Sequence, residues 1–202
     1  MIHIYTGNGK GKTTASFGLA MRASGHGLKV IIFQFLKPRS LVTGETISAK
    51  KIKNLTVVKY EQEHPMFMGK KEIFSTRGIY PERSRETRSK NIVRARPKAE
   101  SRTKEKIKKS VRKTMADVKR AIFSGKYNMV ILDEIINVID QGFAEKKEFL
   151  KLIKKAPKDI ELVLTGRGDI SEIEKFADYV TIMIDKKHPF RQRVNARRGI
   201  EY

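Results

Sequence analysis

Glycine, lysine and threonine residues lie close together near the amino terminus, in a spacing suited to binding phosphate. The run is Thr6-Gly7-Asn8-Gly9-Lys10-Gly11-Lys12-Thr13-Thr14. Glycines allow the backbone to turn several N–H groups toward one anion, and the positive end of a following helix adds to the attraction. In such a loop Lys12 would contact the outer phosphates, and the Thr13 hydroxyl would ligate a magnesium ion. The run therefore predicts a loop that binds the phosphates of a nucleoside triphosphate.

The spacing of this loop departs from the usual phosphate-loop pattern at one position. That pattern has a glycine five residues before the Gly11-Lys12 pair, where this chain has Thr6. The three glycines are crowded into a loop that is one residue tighter. A glycine-rich turn with a surface lysine is the alternative. It is disfavoured because an apolar strand, the loop and a helix-forming segment follow one another in the order that the motif demands.

Two adjacent carboxylates supply a second candidate for chemistry. The apolar run 129–132 ends in Asp133-Glu134. In a phosphate-loop protein, one such carboxylate holds magnesium directly or through water, and the other orients a nucleophile or completes the metal shell. A strand end with a helix-capping acid is the alternative, but the loop at residues 6–14 favours magnesium. The residue types leave open which carboxylate holds the metal.

A third candidate is the run Leu164-Thr165-Gly166-Arg167-Gly168 at the end of another apolar segment. Two glycines around Arg167 free the backbone to approach a ligand, and a guanidinium suits phosphate oxygens. A turn with a solvent-facing arginine is the alternative. The four histidines show no metal-ligand spacing, and the chain has no cysteine, so neither a thiolate nucleophile nor a Ser-His-Asp arrangement can be argued.

These residues must be positioned by alternating strands and helices. Strands are expected at 2–5, 28–35, 56–60, 129–132, 160–164 and 179–184, and helices at 14–24, 99–123, 146–155 and 171–176. The alternation predicts one α/β domain over residues 1–202. Its doubly wound, mostly parallel sheet would have five to six strands, as in a RecA-like P-loop fold that binds nucleotides. Ligands in such folds sit at the carboxyl ends of the strands.

Periodicity also predicts which faces of the two long helices are buried. For the first helix the buried residues would be Ala15, Leu19 and Ala23, with Phe17 and Met21 beside them. For the helix at 99–123 they would be Ile107, Val111, Met115, Val118 and Ile122.

Composition bounds the remaining possibilities. The chain has 202 residues, a net charge of +22, no secretory signal and no apolar run long enough for a membrane span, which favours a cytoplasmic protein. Residues 61–98 show no period and are predicted to be an irregular basic insertion. Between Lys70 and Thr114 there are 17 lysines and arginines against five acids. Such a block attracts polyanions, or it is a solvated surface.

Taken together, the motifs resemble those of the ATP:corrinoid adenosyltransferases. The matching segments are the loop at 6–14, Gln34-Phe35-Leu36-Lys37, Leu132–Ile135 with Asn137 and Asp140, Leu164–Gly168, Lys187-His188-Pro189-Phe190, Ala196, and Gly199–Tyr202. The match runs in order over residues 1–45 and from about Asn128 to the end. Two differences stand out: the family's aromatic run after the third strand has no counterpart, with Phe67 or Phe74 as candidate replacements, and the basic stretch looks like an insertion.

The resemblance implies a transferase of cobalamin biosynthesis or salvage. Co(I) of a reduced corrinoid would attack the 5′ carbon of ATP, and tripolyphosphate would leave. Lys12, Glu134 and Arg167 would act in catalysis, and Thr13, Asp133 and Glu134 would hold Mg²⁺. Residues expected to bind ATP or corrinoid are Thr6, Gly7, Asn8, Gly9, Lys10, Gly11, Lys12, Thr13, Thr14, Gln34, Lys37, Arg167 and His188. A homodimer is also implied.

A different class remains open at this point. The charge of the basic stretch also suits a RecA-like P-loop ATPase whose insertion binds nucleic acid, and salt-dependent binding to DNA or RNA would distinguish it.

Overall fold

The computed structural model describes residues 1–37, 40–60, 97–192, 194 and 196–200. Six strands form one sheet in the order β3-β2-β4-β5-β1-β6, and every neighbouring pair is parallel. The strands are β1 Ile2–Thr6, β2 Val30–Gln34, β3 Leu55–Lys59, β4 Met129–Asp133, β5 Glu161–Thr165 and β6 Tyr179–Ile182. The helices are α1 Lys12–Gly25, α2 Gly44–Ala49, α3 Pro97–Phe123, α4 Ile135–Asp140 and α5 Lys146–Lys154, with short 3₁₀ turns at Glu174–Phe176 and Pro189–Gln192.

The sheet is the middle of three layers. Every residue of β2 and β4 is buried, as expected for central parallel strands that are covered on both faces. One face packs against α1 through Phe17 and Ala20. The opposite face packs against α3, α4 and α5, whose buried side chains form the larger core. Successive side chains along each strand point to opposite faces of the sheet, so the central strands contribute to both cores.

The predicted α/β class with a single parallel sheet is confirmed, and the strand number of six lies within the expected range. Most predicted elements agree with the structure to within two or three residues. Two helices, α2 and α4, were not predicted, because each has only six residues and offers too short a pattern for a helical period.

The predicted faces of the two long helices fare differently. On α3, Ile107, Val111, Val118 and Ile122 are buried as expected, and Met115 is half-buried. On α1 the prediction for Met21 is wrong, since its side chain is 60% exposed. Phe17 and Ala23 are buried as expected, and Ala15 and Leu19 are half-buried. The buried face also includes Ser16, Ala20 and Ser24, and these small side chains let the helix lie close to the sheet. Hydrophobicity alone therefore wrongly included Met21 and missed the small residues of this face.

The irregular insertion predicted at 61–98 lies outside the described residues, except for its last two positions, which belong to α3. Phe67 and Phe74 lie outside the described residues as well. Among the helices that the structure does describe, none combines the length and the apolar character needed to cross a bilayer.

The topology determines where a site can form. β5 lies between β1 and β4, and β2 is the other neighbour of β4. The carboxyl ends of these four parallel strands therefore meet at one edge of the sheet. That edge carries the glycine loop after β1, Gln34 of β2, the acid pair of β4 and the Arg167 loop after β5.

Candidate active site

The glycine loop joins β1 to α1 and is held by the chain that follows β6. The Gly9 N–H donates to the Met183 carbonyl at 2.7 Å, and the Met183 N–H donates to the Thr6 carbonyl at 2.8 Å. A Cβ added to Gly7 or Gly9 would lie 2.4 or 2.7 Å from the Met183 oxygen. Glycine is therefore required here because two backbones touch. Sequence analysis missed Met183, whose main chain rather than side chain makes the contact.

Lys12 is the first residue of α1, and its ammonium group lies inside the loop. Its Nζ donates to the carbonyls of Gly7 and Gly9, at 2.7 Å each. Burial lowers the pKa of Lys12, and the nearby positive charge of Arg167 lowers it further. The loop therefore concentrates a buried cation at the amino-terminal end of a 14-residue helix, where an anion is favoured.

Asp133 lies at the centre of the hydrogen-bond network and is fully buried. Its Oδ1 accepts from the hydroxyls of Thr13 at 3.0 Å and Thr165 at 2.8 Å. Its Oδ2 accepts from Gln34 Nε2 at 3.2 Å and Lys37 Nζ at 2.9 Å. Asp133 thus ties the start of α1 to the ends of β2 and β5. A buried carboxylate is tolerated only with partners of this kind.

Asp133 and Lys37 hold each other in the charged form. Burial by itself would raise the pKa of Asp133, but the positive charge of Lys37 and the hydrogen bonds from Lys37, Thr165 and Thr13 lower it below its usual range. Burial likewise opposes ionisation of Lys37, yet the charge of Asp133 raises the pKa of that lysine. The site therefore contains a buried ion pair that is joined to the start of α1 through Thr13.

Glu134 is in a different environment from its neighbour. Its backbone adopts a left-handed conformation (φ 68°), and its N–H donates to the Thr165 hydroxyl at 2.9 Å. Burial and the adjacent Asp133 carboxylate raise the pKa of Glu134, while the charges of Lys37, Lys12 and Arg167 oppose that shift. A non-glycine residue in this backbone region is uncommon and clusters at functional sites.

The oxygen atoms at this edge fit a magnesium ion. Mg²⁺ is bound by a few protein oxygens together with water and substrate phosphates. The Thr13 hydroxyl and the carboxylates of Asp133 and Glu134 supply such oxygens. Gln34 Oε1 is also buried here and has no hydrogen-bond partner, so it can accept from water bound to the ion. No group of three histidines or acids suited to a metal occurs among the described residues, and this donor set does not require one.

The loop after β5 is held by side chains of α4. Asn137 Oδ1 accepts from the Arg167 N–H at 2.6 Å, and Asp140 Oδ1 accepts from the Asp169 N–H at 3.2 Å. A Cβ on Gly166 would lie 2.5 Å from Asn137 Oδ1, and one on Gly168 would lie 2.7 Å from the Asp140 Cβ. The two glycines therefore allow the loop to lie directly against α4.

The structure brings together most of the residues that the sequence singled out. Six of them share direct hydrogen bonds or charge interactions at the carboxyl edge: Lys12, Thr13, Lys37, Asp133, Glu134 and Arg167. Gln34 joins them through Asp133. Asn8, Lys10 and Thr14 are exposed on the loop and the first turn of α1. His188 lies on the tail that continues from Met183, and its predicted role is not tested by the described contacts.

These features define a class of protein. A glycine loop ahead of a helix, an acid pair on a neighbouring strand and a parallel sheet with helices on both faces are consistent with a P-loop NTPase-like α/β domain. The model of the family described as ATP:corrinoid adenosyltransferase BtuR/CobO/CobP matches residues 1–202. The chain belongs to this family. The match does not favour the alternative of an ATPase with a nucleic-acid-binding insertion.

Individual relatives agree with this assignment. The chain is 29% identical over 202 residues to a corrinoid adenosyltransferase of Escherichia coli (strain K12), covering all of this chain and 85% of the relative. Identity is 29% over 199 residues to the corrinoid adenosyltransferase of Pseudomonas aeruginosa, covering 98% and 82%. It is 27% over 207 residues to the corrinoid adenosyltransferase CobA of Salmonella typhimurium, covering 100% and 85%.

Proposed function

We propose that this protein transfers the 5′-deoxyadenosyl group of ATP to the Co(I) centre of a reduced corrinoid, with release of tripolyphosphate. The observation that carries the proposal is the buried hydrogen-bond network around Asp133, which joins the glycine loop, the acid pair and the Arg167 loop. Membership of the ATP:corrinoid adenosyltransferase family supports it. Cobalamin biosynthesis or salvage is the corresponding process.

The bond changes explain why the site is rich in cations. The cobalt electron pair forms the Co–C bond to the 5′ carbon, the C–O bond at that carbon breaks, and its electron pair leaves with tripolyphosphate. No proton has to be removed from the nucleophile, so no general base is required. The demand on the protein is to stabilise negative charge on the departing polyphosphate.

Lys12 and Arg167 are the residues proposed to meet that demand. The two cations lie close enough for the charge of Arg167 to lower the pKa of Lys12. Two like charges held together cost free energy, and a polyanion between them relieves the repulsion. Phosphate oxygens would replace the carbonyls of Gly7 and Gly9 as partners of Lys12, and the N–H groups at the start of α1 would add donors.

Mg²⁺ would neutralise phosphate charge when bound. Thr13 is the proposed hydroxyl ligand, and Asp133 and Glu134 are the proposed carboxylates. Asp133 already accepts four hydrogen bonds, whereas the carboxyl of Glu134 lies within the electrostatic influence of Lys37, Lys12 and Arg167. We therefore propose Glu134 as the catalytic carboxylate, orienting the metal and phosphates, while Gln34 and Lys37 serve the nucleotide through Asp133.

Other residues complete the proposed ligand contacts. Thr6, Gly7, Asn8, Gly9, Lys10, Gly11 and Thr14 would line the polyphosphate, and His188 would approach from the tail after β6.

We also propose that residues 1–202 form one domain and that the chain is a homodimer. Exposed apolar side chains on the edge strand β6, such as Tyr179 and Ile182, are a surface for testing dimerisation. Light scattering should give the mass of two chains for the wild type and a lower mass for Ile182→Lys. A single-chain mass for the wild type would contradict the homodimer.

The activity is tested with ATP, Mg²⁺ and chemically reduced cobalamin. We expect adenosylcobalamin by its absorbance spectrum and tripolyphosphate by phosphorus NMR, in equal amounts. If ATP binds but neither product forms, the proposal is wrong.

Lys12→Ala should lower the rate of transfer by about 100-fold or more, because the leaving group loses its buried cation. Lys53→Ala is the matched control, since it removes the same charge from an exposed turn ahead of β3. Equal rates for the two variants would contradict the role of Lys12.

A further inference from the structure

The helix α4 has two faces of opposite character. Ile135, Ile136, Val138 and Ile139 are buried in the core, at 6% exposure or less. Asn137 and Asp140, three positions apart, therefore share the remaining face. The structure places that face against the loop that follows β5, where both side chains accept hydrogen bonds from backbone N–H groups.

The same helix begins directly after the acid pair. Glu134 is its N-cap residue, and the Glu134 N–H donates to the hydroxyl of Thr165, where β5 ends and the Arg167 loop begins. Three hydrogen bonds, at Thr165, Arg167 and Asp169, thus join the segment 134–140 to the loop 165–169. The loop is fixed at its beginning, its middle and its end.

Side-chain packing makes the attachment close. A Cβ at position 166 would lie 2.9 Å from the Ile136 Cβ and 3.0 Å from the Asn137 N, in addition to its collision with Asn137 Oδ1. Gly166 and Gly168 also have φ values of 144° and 139°, which disfavour other residues. The loop therefore has little room to shift while α4 stays in the core.

We propose that Asn137 and Asp140 are positioning residues for Arg167: through the backbone of its loop they hold the guanidinium beside Lys12 and Glu134, where the outer phosphates of the nucleotide would lie. This inference rests on the proposed binding of Mg·ATP and does not depend on the proposed transfer to a corrinoid. A side chain as long as arginine loses conformational freedom when it binds, so a loop fixed beforehand lowers the cost of binding.

A double-mutant cycle tests the inference, with the affinity for Mg·ATP measured by calorimetry. The proteins are the wild type, Asn137→Ala, Arg167→Ala and the double variant. We expect Arg167→Ala to weaken binding by about 30-fold and Asn137→Ala by about fivefold. In the double variant, Asn137→Ala should add less than about twofold, because a positioning residue has nothing left to position. Two full, multiplying losses would show that Asn137 acts independently of Arg167.

The role of Asp140 can be tested with a substitution that keeps its hydrogen bond to the Asp169 N–H. Asp140→Asn keeps an Oδ1 acceptor for the Asp169 N–H and should bind Mg·ATP within about twofold of the wild type, whereas Asp140→Ala should lose about threefold. Equal effects of Asn and Ala would contradict the proposed hydrogen bond.

Two matched controls exclude a general effect of lost hydrogen bonds. Asn128 Oδ1 accepts from the Lys29 N–H at 2.9 Å, and Asp178 Oδ2 accepts from the Ile2 N–H at 2.6 Å, both at the opposite edge of the sheet. Asn128→Ala and Asp178→Ala should leave the affinity for Mg·ATP unchanged, and a loss equal to that of Asn137→Ala would overturn the inference.

The outcomes separate the inference from the proposed function. If the two losses of affinity multiply and the wild type forms adenosylcobalamin, only the positioning role is rejected. A coupled cycle in a protein that forms no adenosylcobalamin would reject only the reaction. A folded wild type that takes up no Mg·ATP would reject both.

Discussion

The two glycine loops of the site are held in different ways. The loop after β1 lies against main-chain atoms of Met183, while the loop after β5 lies against side chains of Asn137 and Asp140. A backbone contact survives any change of the contacting side chain that keeps the backbone N–H, but it cannot move away from an added Cβ. A side-chain contact can be removed by a single substitution in the partner. The first loop is therefore sensitive to its own glycines, and the second also to its supporting helix.

Asp133 joins the two loops. Thr13, in the first turn of α1 just after the first loop, and Thr165, at the start of the second loop, both donate to the same carboxylate oxygen. Both loops are therefore attached to Asp133. They differ in their other support, which is the Met183 backbone for the first loop and the α4 side chains for the second.

The largest expected effect comes from Gly9→Ala. Its Cβ would lie 2.7 Å from the Met183 carbonyl oxygen and 2.8 Å from the carbonyl carbon, so the loop or the tail must shift. We expect the affinity for Mg·ATP to fall by about 100-fold, since the loss of one or two hydrogen bonds to a charged phosphate is enough for such a decrease. Calorimetry measures it. Gly18→Ala, in α1, is the control and should bind normally, since apart from its own helical turn and chain neighbours no atom lies within 4 Å of the added Cβ.

Gly166→Ala should have an intermediate effect on the same affinity, about tenfold. Its Cβ meets the Asn137 side-chain oxygen first, and a side chain can rotate away, but the Ile136 Cβ and Asn137 N limit the relief. Combining it with Asn137→Gly should recover part of the loss. For Gly9→Ala no substitution of Met183 should do so, because the obstacle is backbone. Recovery in the second case would remove the contrast between the loops.

Acid should weaken the attachment that the loops share. The pKa of Asp133 in the folded protein lies below its ordinary value of 3.8, so ionised Asp133 stabilises the fold above about pH 4, and that contribution is lost as the pH falls through the lowered pKa. Asp133→Asn should therefore unfold more easily at pH 7 and show a shallower loss of stability below pH 4 in urea titrations. An unchanged acid profile would argue against this pKa shift.

The smallest effect is expected for Met183→Ala. The contacts to Thr6 and Gly9 are made by the Met183 N–H and carbonyl, and both remain. The affinity for Mg·ATP should change by less than about threefold, whereas Met183→Pro, which removes the N–H, should cost far more. Similar losses for Ala and Pro would show that the side chain matters after all.

The loops also show what the sequence could predict. Gly7–Thr13 and Asp133-Glu134 carry local patterns whose chemistry depends on residue type and order, and the alternation of apolar runs places them at one edge of a parallel sheet. The contacts that hold the loops could not be predicted in this way. Met183 contributes only its backbone, so no property of its side chain signals the contact.

Asn137 and Asp140 illustrate a second limit. They appear in the sequence as part of a family resemblance, without a physical role, because α4 is too short for its period to be recognised. Only the three-dimensional pairing of α4 with the loop after β5 assigns them hydrogen bonds. The wrong prediction for Met21 on α1 has a related cause, since Ser16, Ala20 and Ser24 complete the buried face through their small size rather than through hydrophobicity.

The most direct test of the central claim is a calorimetric titration of Mg·ATP into the folded wild-type chain, repeated with Gly9→Ala and Gly18→Ala. The account predicts saturable binding by the wild type and Gly18→Ala and a loss of affinity of about 100-fold for Gly9→Ala. Absence of binding by the wild type, or equal binding by all three proteins, would contradict a polyphosphate site built on this loop.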